Sequence, residues 1–133
     1  PDAVFSPDPG TTWVQWHNTD HRMGANITQD AFIAAEWHLY YPQHLLDEGL
    51  EPYSVPVAYY YYSQLPNYEV DITEQFDKKI QACAAHVSQF PPSVQKYTPD
   101  MPASTLSQIR AGFTAYNKSG DRYVERFRRV VSP

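Results

Sequence analysis

The sequence is short of several things, and each shortage excludes a class of protein. It has a single cysteine, Cys83, so no intramolecular disulfide can staple it, and the disulfide-rich mini-domains are out. It has no run near the ~20 apolar residues that a membrane-spanning helix needs. Basic residues are scarce, 10 Lys and Arg against 15 Asp and Glu, and the formal net charge of -5 argues against a nucleic-acid binder, which normally shows a basic face. No internal repeat and no linker between two domains is visible. The chain starts at Pro1-Asp2-Ala3 with neither an initiator Met nor a signal-peptide pattern, and the expectation is a piece of something longer.

What is present fits one small domain: 133 residues, 42% hydrophobic and 15% aromatic, with 12 Pro and 11 Tyr. Ala3-Val4-Phe5, closed by Ser6-Pro7-Asp8-Pro9-Gly10, reads as a buried strand entering a loop. From Thr19 to Tyr41 the chain is free of proline. Met23, Ile27, Ala31 and Ala34 lie at helical spacing, as do Ala25, Phe32, Ala35 and Leu39, which predicts a long, well-buried helix. Thr19 is placed to cap it, Asp20 to face its positive end, and Pro42 to stop it. Residues 43–56 read as a loop with a helical turn at His44-Leu45-Leu46. Val57–Tyr62 and Tyr68–Ile72 read as strands on either side of a turn at Leu65-Pro66-Asn67. Thr73 is a good N-cap for a helix that carries Phe76, Ile80, Cys83/Ala84 and Val87 on one stripe and runs to Pro91-Pro92. After a Pro- and Ser-rich loop, Leu106–Val131 reads as an amphipathic region interrupted at Asn117–Gly120.

Most of the chemical signal sits in His17-Asn18-Thr19-Asp20-His21-Arg22, which gathers imidazoles, a carboxylate and a guanidinium at the entry to the first helix. Neutral imidazole is a good zinc ligand, and a neighbouring carboxylate can orient it. The same residues also read as an ordinary polar helix start, with Asp20 and Arg22 solvated and His21 at the surface. His38 and His44 read as structural or exposed, and Cys83 as a small buried hydrophobe. The Tyr59–Tyr62 run reads as half core and half wet surface, with a sugar-stacking platform as the alternative. Asn26-Ile27-Thr28 and Asn117-Lys118-Ser119 match the glycosylation sequon, which carries meaning only in a secreted eukaryotic protein.

Pro1-Asp2-Ala3-Val4-Phe5 leading to Asp20-His21-Arg22 resembles the middle of a PIG-L/LmbE-type N-deacetylase, with its strand, loop and His-Pro-Asp-His-Arg motif opening a helix. Val70-Asp71-Ile72-Thr73, followed by Lys78-Lys79 and Ala85-His86-Val87-Ser88-Gln89, resembles that family's strand-to-helix segment. Tyr123–Arg129 resembles its closing stretch. The likeness keeps the family's order across nearly the whole chain. It departs in two places. The family's N-terminal Ala-His-Pro-Asp-Asp motif is absent from these residues, and its His three positions before the metal His falls at Asn18, with His17 one residue further away.

The resemblance implies an α/β fold, the C-terminal part of a Rossmann-like three-layer sandwich with a mostly parallel sheet. Residues 1–133 would be the C-terminal half of a single deacetylase-like domain. It implies a zinc-dependent hydrolase, other divalent metals being possible, that removes an N-acetyl or N-acyl group from a GlcNAc-type substrate. His21 would be the metal ligand and Asp20 would orient a neighbouring imidazole. His17 would be the acid or oxyanion donor, a role that Asn18 could take instead, and His86 and Gln89 would line the substrate rim. The remaining ligands and the base would come from a companion chain carrying the N-terminal half. Homo-oligomers are possible, no nucleic acid is involved, and localisation is open. The alternative is a non-catalytic carbohydrate- or protein-binding module with an aromatic surface.

Overall fold

The structure, a computed structural model, describes residues 1–10, 19–86 and 103–132, with side chains from Leu106 onward in the last segment. It divides into two units, Pro1–Glu69 with Arg126–Pro133, and Val70–Glu125. The elements are β1 (Val4–Pro7), α1 (Thr19–Glu36), α2 (Pro42–Leu46), β2 (Val57–Tyr61), β3 (Tyr68–Asp71), a 3₁₀ turn (Thr73–Gln75), α3 (Phe76–Ala84), α4 (Ala103–Asn117), β4 (Lys118–Ser119) and β5 (Arg122–Val131). The strands follow the hydrogen-bonded order β1-β2-β5-β3, with β4 paired to β5. The sheet is mixed: β1 runs parallel to β2, and β5 runs antiparallel to both β2 and β4. No helix among the described residues is long and apolar enough to cross a membrane.

In the first unit, β2 alternates. Ala58 and Tyr60 are buried, and the Tyr60 hydroxyl accepts a hydrogen bond from Gln29 Nε2 on α1, so this face carries the helix. Tyr59 points to the other face. It stacks on its register partner Phe5 at 4.9 Å and meets Phe127 edge-on at 5.9 Å. Arg129 lies 5.4 Å above the Tyr68 ring on β3. Asn67 extends the ladder with its side chain, donating from Nδ2 to Arg129 O and accepting at Oδ1 from Arg129 N. The expectation of half-core, half-wet tyrosines therefore describes β2 well.

Helix α1 departs from expectation in two ways. It ends at Glu36 rather than at Tyr41, and Pro42 opens α2 instead of stopping α1. Proline suits a first helical turn, where its missing N–H leaves no bond unmade. Nor is α1 well buried: Ala25 alone is buried, while Met23, Ile27 and Ile33 are exposed. Two apolar stripes give a helix a face, but the face is buried only where something packs against it. The short helix predicted at His44–Leu46 is present, and the chain leaves it through Gly49 at a φ of +68°, a conformation that suits glycine.

The second unit is built around α3. Phe76, Ile80 and Ala84 recur at four-residue spacing and bury themselves with Ile72 and Ile109, flanked by Cys83, Leu106, Phe113 and Tyr123. Phe76 stacks on Tyr123 with ring centroids 3.7 Å apart. Burial pushes the Cys83 thiol up, in keeping with a small core hydrophobe rather than a nucleophile. Thr73 is not an N-cap. Its N–H and hydroxyl both donate to Asp71 Oδ1, an Asx-type turn that leads into the 3₁₀ turn before the helix. The helix ends at Ala84; Ala85 and His86, just beyond it, are exposed, and Val87, expected on the same stripe, lies outside the described residues.

The C-terminal expectation holds for its first half, since the region from Leu106 lies in α4 and the chain breaks at Asn117–Gly120, and fails beyond that break. Tyr123, Phe127 and Val130 belong to a ten-residue strand, not to a helix. Gly120, at a φ of +61°, opens a two-residue loop that pairs Ser119 with Arg122, and the β-branched and aromatic residues beyond it extend into the sheet. Asn117 is buried and donates from Nδ2 to Val124 O, which removes the second sequon as a glycosylation acceptor.

Candidate functional site

Strands β1 and β2 are parallel, so their carboxyl ends lie side by side, the edge where open α/β sheets place their sites. The β1 end passes into Asp8, whose N–H donates to Tyr61 O at the end of β2. The Asp8 side chain is almost fully buried and is held from several sides. Arg128 on β5 donates to it twice, from Nε at 2.8 Å and from the terminal nitrogen at 2.7 Å. Gly10 N–H donates at 2.8 Å. A Cβ on Gly10 would stand 3.1 Å from Asp8 Oδ1, so a side chain there would crowd the carboxylate. Burial by itself pushes the Asp8 carboxyl up, but hydrogen bonds from Arg128, the Ser63 hydroxyl and Gly10 outweigh it, and its pKa is lowered to about 2. The Arg128 guanidinium lies 4.7 Å above the buried Tyr60 ring, which ties the ion pair to the face that carries α1. This bidentate pair fixes β1, β2 and β5 against one another at the site edge.

The first turn of α1 meets the chain just beyond the end of β2. Asp20 is exposed in the first turn, and His21 is half-buried. The His21 imidazole stacks on Tyr62, with centroids 5.2 Å apart and planes 21° apart. Tyr62, the first residue beyond β2, has a φ of +59°. The structure thus brings His21 together with Tyr62, with Asp20 next to His21 in the first turn of α1. His86 belongs to the second unit, just past the end of α3. His17, Asn18 and Gln89 lie outside the described residues. Asp8, Arg128 and Tyr62 went unnoticed as site residues in the sequence. Asp8 reads as loop punctuation between prolines, Arg128 as one of several tail arginines, and Tyr62 as the end of a tyrosine run.

Whether these residues suit a metal can be judged from the donors they offer. No group of three His, Cys, Asp or Glu side chains that could hold a metal ion occurs among the described residues. The described residues at the strand ends offer the His21 imidazole and not a complete donor set.

No model of a protein family matches the chain. It is 32% identical to the diacetylchitobiose deacetylase of Thermococcus kodakarensis over 133 residues, which is 98% of this chain and 45% of that enzyme. A solved structure of the N,N'-diacetylchitobiose deacetylase from Pyrococcus horikoshii, in complex with an inhibitor, superposes with a TM-score of 0.73 at 32% identity, covering 98% of this chain and 46% of that one. The relatives are sugar deacetylases. The chain spans about half the length of the relatives it matches. That likeness agrees with a mixed α/β sheet flanked by helices.

Proposed function

We propose that this chain is the C-terminal half of a metal-dependent N-deacetylase that removes an acetyl group from a GlcNAc-type sugar, diacetylchitobiose being the first substrate to try. What carries this reading is the position of Asp20-His21 at the carboxyl edge of the parallel pair, in a chain that aligns with a diacetylchitobiose deacetylase over 98% of its length. The rest of that relative has no counterpart in these residues, and the exposed apolar side of α1 suits a larger three-layer domain of which residues 1–133 are one part.

In this reading His21 supplies one metal ligand, and its stack on Tyr62 fixes the plane of the ring. Asp20 accepts a hydrogen bond from a neighbouring imidazole and sets its tautomer. His17 donates a proton or a hydrogen bond toward the acetamide oxygen, or Asn18 donates in its place. His86 and Gln89 contact the sugar at the pocket rim. The other ligands and the general base come from polypeptide outside these residues, on a companion chain. Zinc or another divalent ion, when bound, supplies Lewis-acid activation of water and of the amide carbonyl. The Asp8–Arg128 pair takes no part in the chemistry and keeps the strand ends in place.

The test is His21→Ala in the complete enzyme, followed by acetate release from N,N'-diacetylchitobiose and by metal content. Loss of a ligand should lower metal occupancy and cut turnover by more than about 100-fold. Full metal occupancy in that variant would remove His21 from the ligand set. A second reading, a non-catalytic carbohydrate- or protein-binding module, draws on the aromatic face of Phe5, Tyr59, Tyr68 and Phe127. It requires sugar or partner binding without acetate release from the complete protein.

A further inference from the structure

Resting on that reading of the site, we propose that Tyr62 is a positioning residue, held in an unfavourable backbone conformation so that its ring can fix the His21 imidazole. At a φ of +59° Tyr62 lies in the left-handed region, which disfavours a side chain of its size and suits glycine. Such a conformation persists only where the surroundings over-determine it. Asp8 does so here, because it grips both neighbours of Tyr62. Its N–H donates to Tyr61 O at 2.9 Å, and its carboxylate accepts from the Ser63 hydroxyl. Asp8 is in turn anchored by Arg128. The peptide on either side of Tyr62 is thus tied to a buried ion pair, while the tyrosine ring is left partly exposed and stacked on His21. Tyr61 meets that ring edge-on at 5.1 Å and limits its movement. A turn that needed only to end β2 would be easier to form with glycine. Tyrosine adds a flat surface that restricts rotation of the imidazole and so directs the nitrogen that faces the site.

Glycine at this position separates the two roles, because it removes the ring and the strain together. In the complete enzyme, Tyr62→Gly should keep or raise the thermal midpoint, lower kcat on N,N'-diacetylchitobiose by roughly tenfold or more, and leave KM within about twofold. Tyr62→Phe keeps the stack and should behave like the parent enzyme. Tyr62→Asn, which tolerates the left-handed region, serves as a second ring-free variant and should match Tyr62→Gly in kcat. Independently of turnover, the ring-current shift of the His21 imidazole protons in NMR should be lost in Tyr62→Gly and kept in Tyr62→Phe. Parent-like kcat in the glycine and asparagine variants would overturn the proposal, as would a phenylalanine variant as poor as the glycine one. If the parent enzyme released no acetate, the deacetylase reading would fail, and the NMR comparison would still decide whether Tyr62 holds His21.

Discussion

Helix α3 spans nine residues and buries Phe76, Ile80 and Ala84; α1 spans 18 and buries Ala25 alone. Both carry apolar residues at helical spacing. In α3 the stripe meets Ile72, Ile109, Leu106 and Tyr123 within its own unit. In α1 one side faces β1 and β2, and the remainder borders an open apolar groove of about 550 Å³ lined by Ile27, Ala31, Phe32, Ala35, Tyr53 and Val55. The difference teaches that periodicity reports the face of a helix but not what covers it. It also separates two kinds of work. The second unit spends its apolar residues on a closed core, whereas the first holds its site edge together with a buried ion pair and aromatic stacks.

The sharpest way to break the comparison is to empty the closed core. Phe76 is 1% exposed and stacks on Tyr123, so Phe76→Ala removes the largest buried side chain of that cluster. A loss of about 3–5 kcal/mol is expected, read as a shift of the denaturation midpoint with the m-value unchanged. A cost below about 1 kcal/mol would mean that this unit is not held by its core.

The next test addresses the ion pair. The Asp8 carboxyl is lowered from 3.8 to about 2, so the folded state favours the ionised form. A depressed carboxyl contributes stability that is fully present above its unfolded value. That stability fades as pH falls from about 4 through 2. The shift corresponds to roughly 2 kcal/mol at neutral pH. Asp8→Asn should cost about that much at pH 7 and should flatten the acid limb of the stability profile between pH 4 and 2. An unchanged acid limb would show that Asp8 titrates normally and that the strand ends are held by other contacts.

How far the sequence could be read follows the same division. The Phe76–Ile80–Ala84 stripe was legible because its partners are local and its spacing regular. The β2 alternation was legible because valine and tyrosine favour a pleated surface. Strand β5 was misread because Tyr123, Phe127 and Val130 lie four and then three apart and imitate a helical stripe. The hairpin at Gly120 and the pairing with β2 and β3 reveal it as a strand. His21 and Asp20 were legible as a pair because they are adjacent and open a helix. Asp8 and Arg128, separated by 120 residues, were not, since nothing local in either tells that they meet. Tyr62 could not be singled out either, because a positive φ leaves no trace in a run of tyrosines.

The smallest effect belongs to the open face of α1. Ile27 is 60% exposed and Ile80 is 4% exposed, so the same truncation should read very differently at the two positions. In the 133-residue chain, Ile80→Ala should cost about 2 kcal/mol or more, because it leaves a cavity that its neighbours cannot fill. Ile27→Ala should change stability by less than about 0.5 kcal/mol, since little of its side chain is withdrawn from water. Repeating the pair in the complete enzyme sharpens the comparison. If the other half of the domain packs on α1, Ile27→Ala should become nearly as costly as Ile80→Ala, while the Ile80 value stays put. An Ile27 cost that stays small in the complete enzyme would mean that α1 keeps this face in solvent, and the larger three-layer domain would lose its support from the helix.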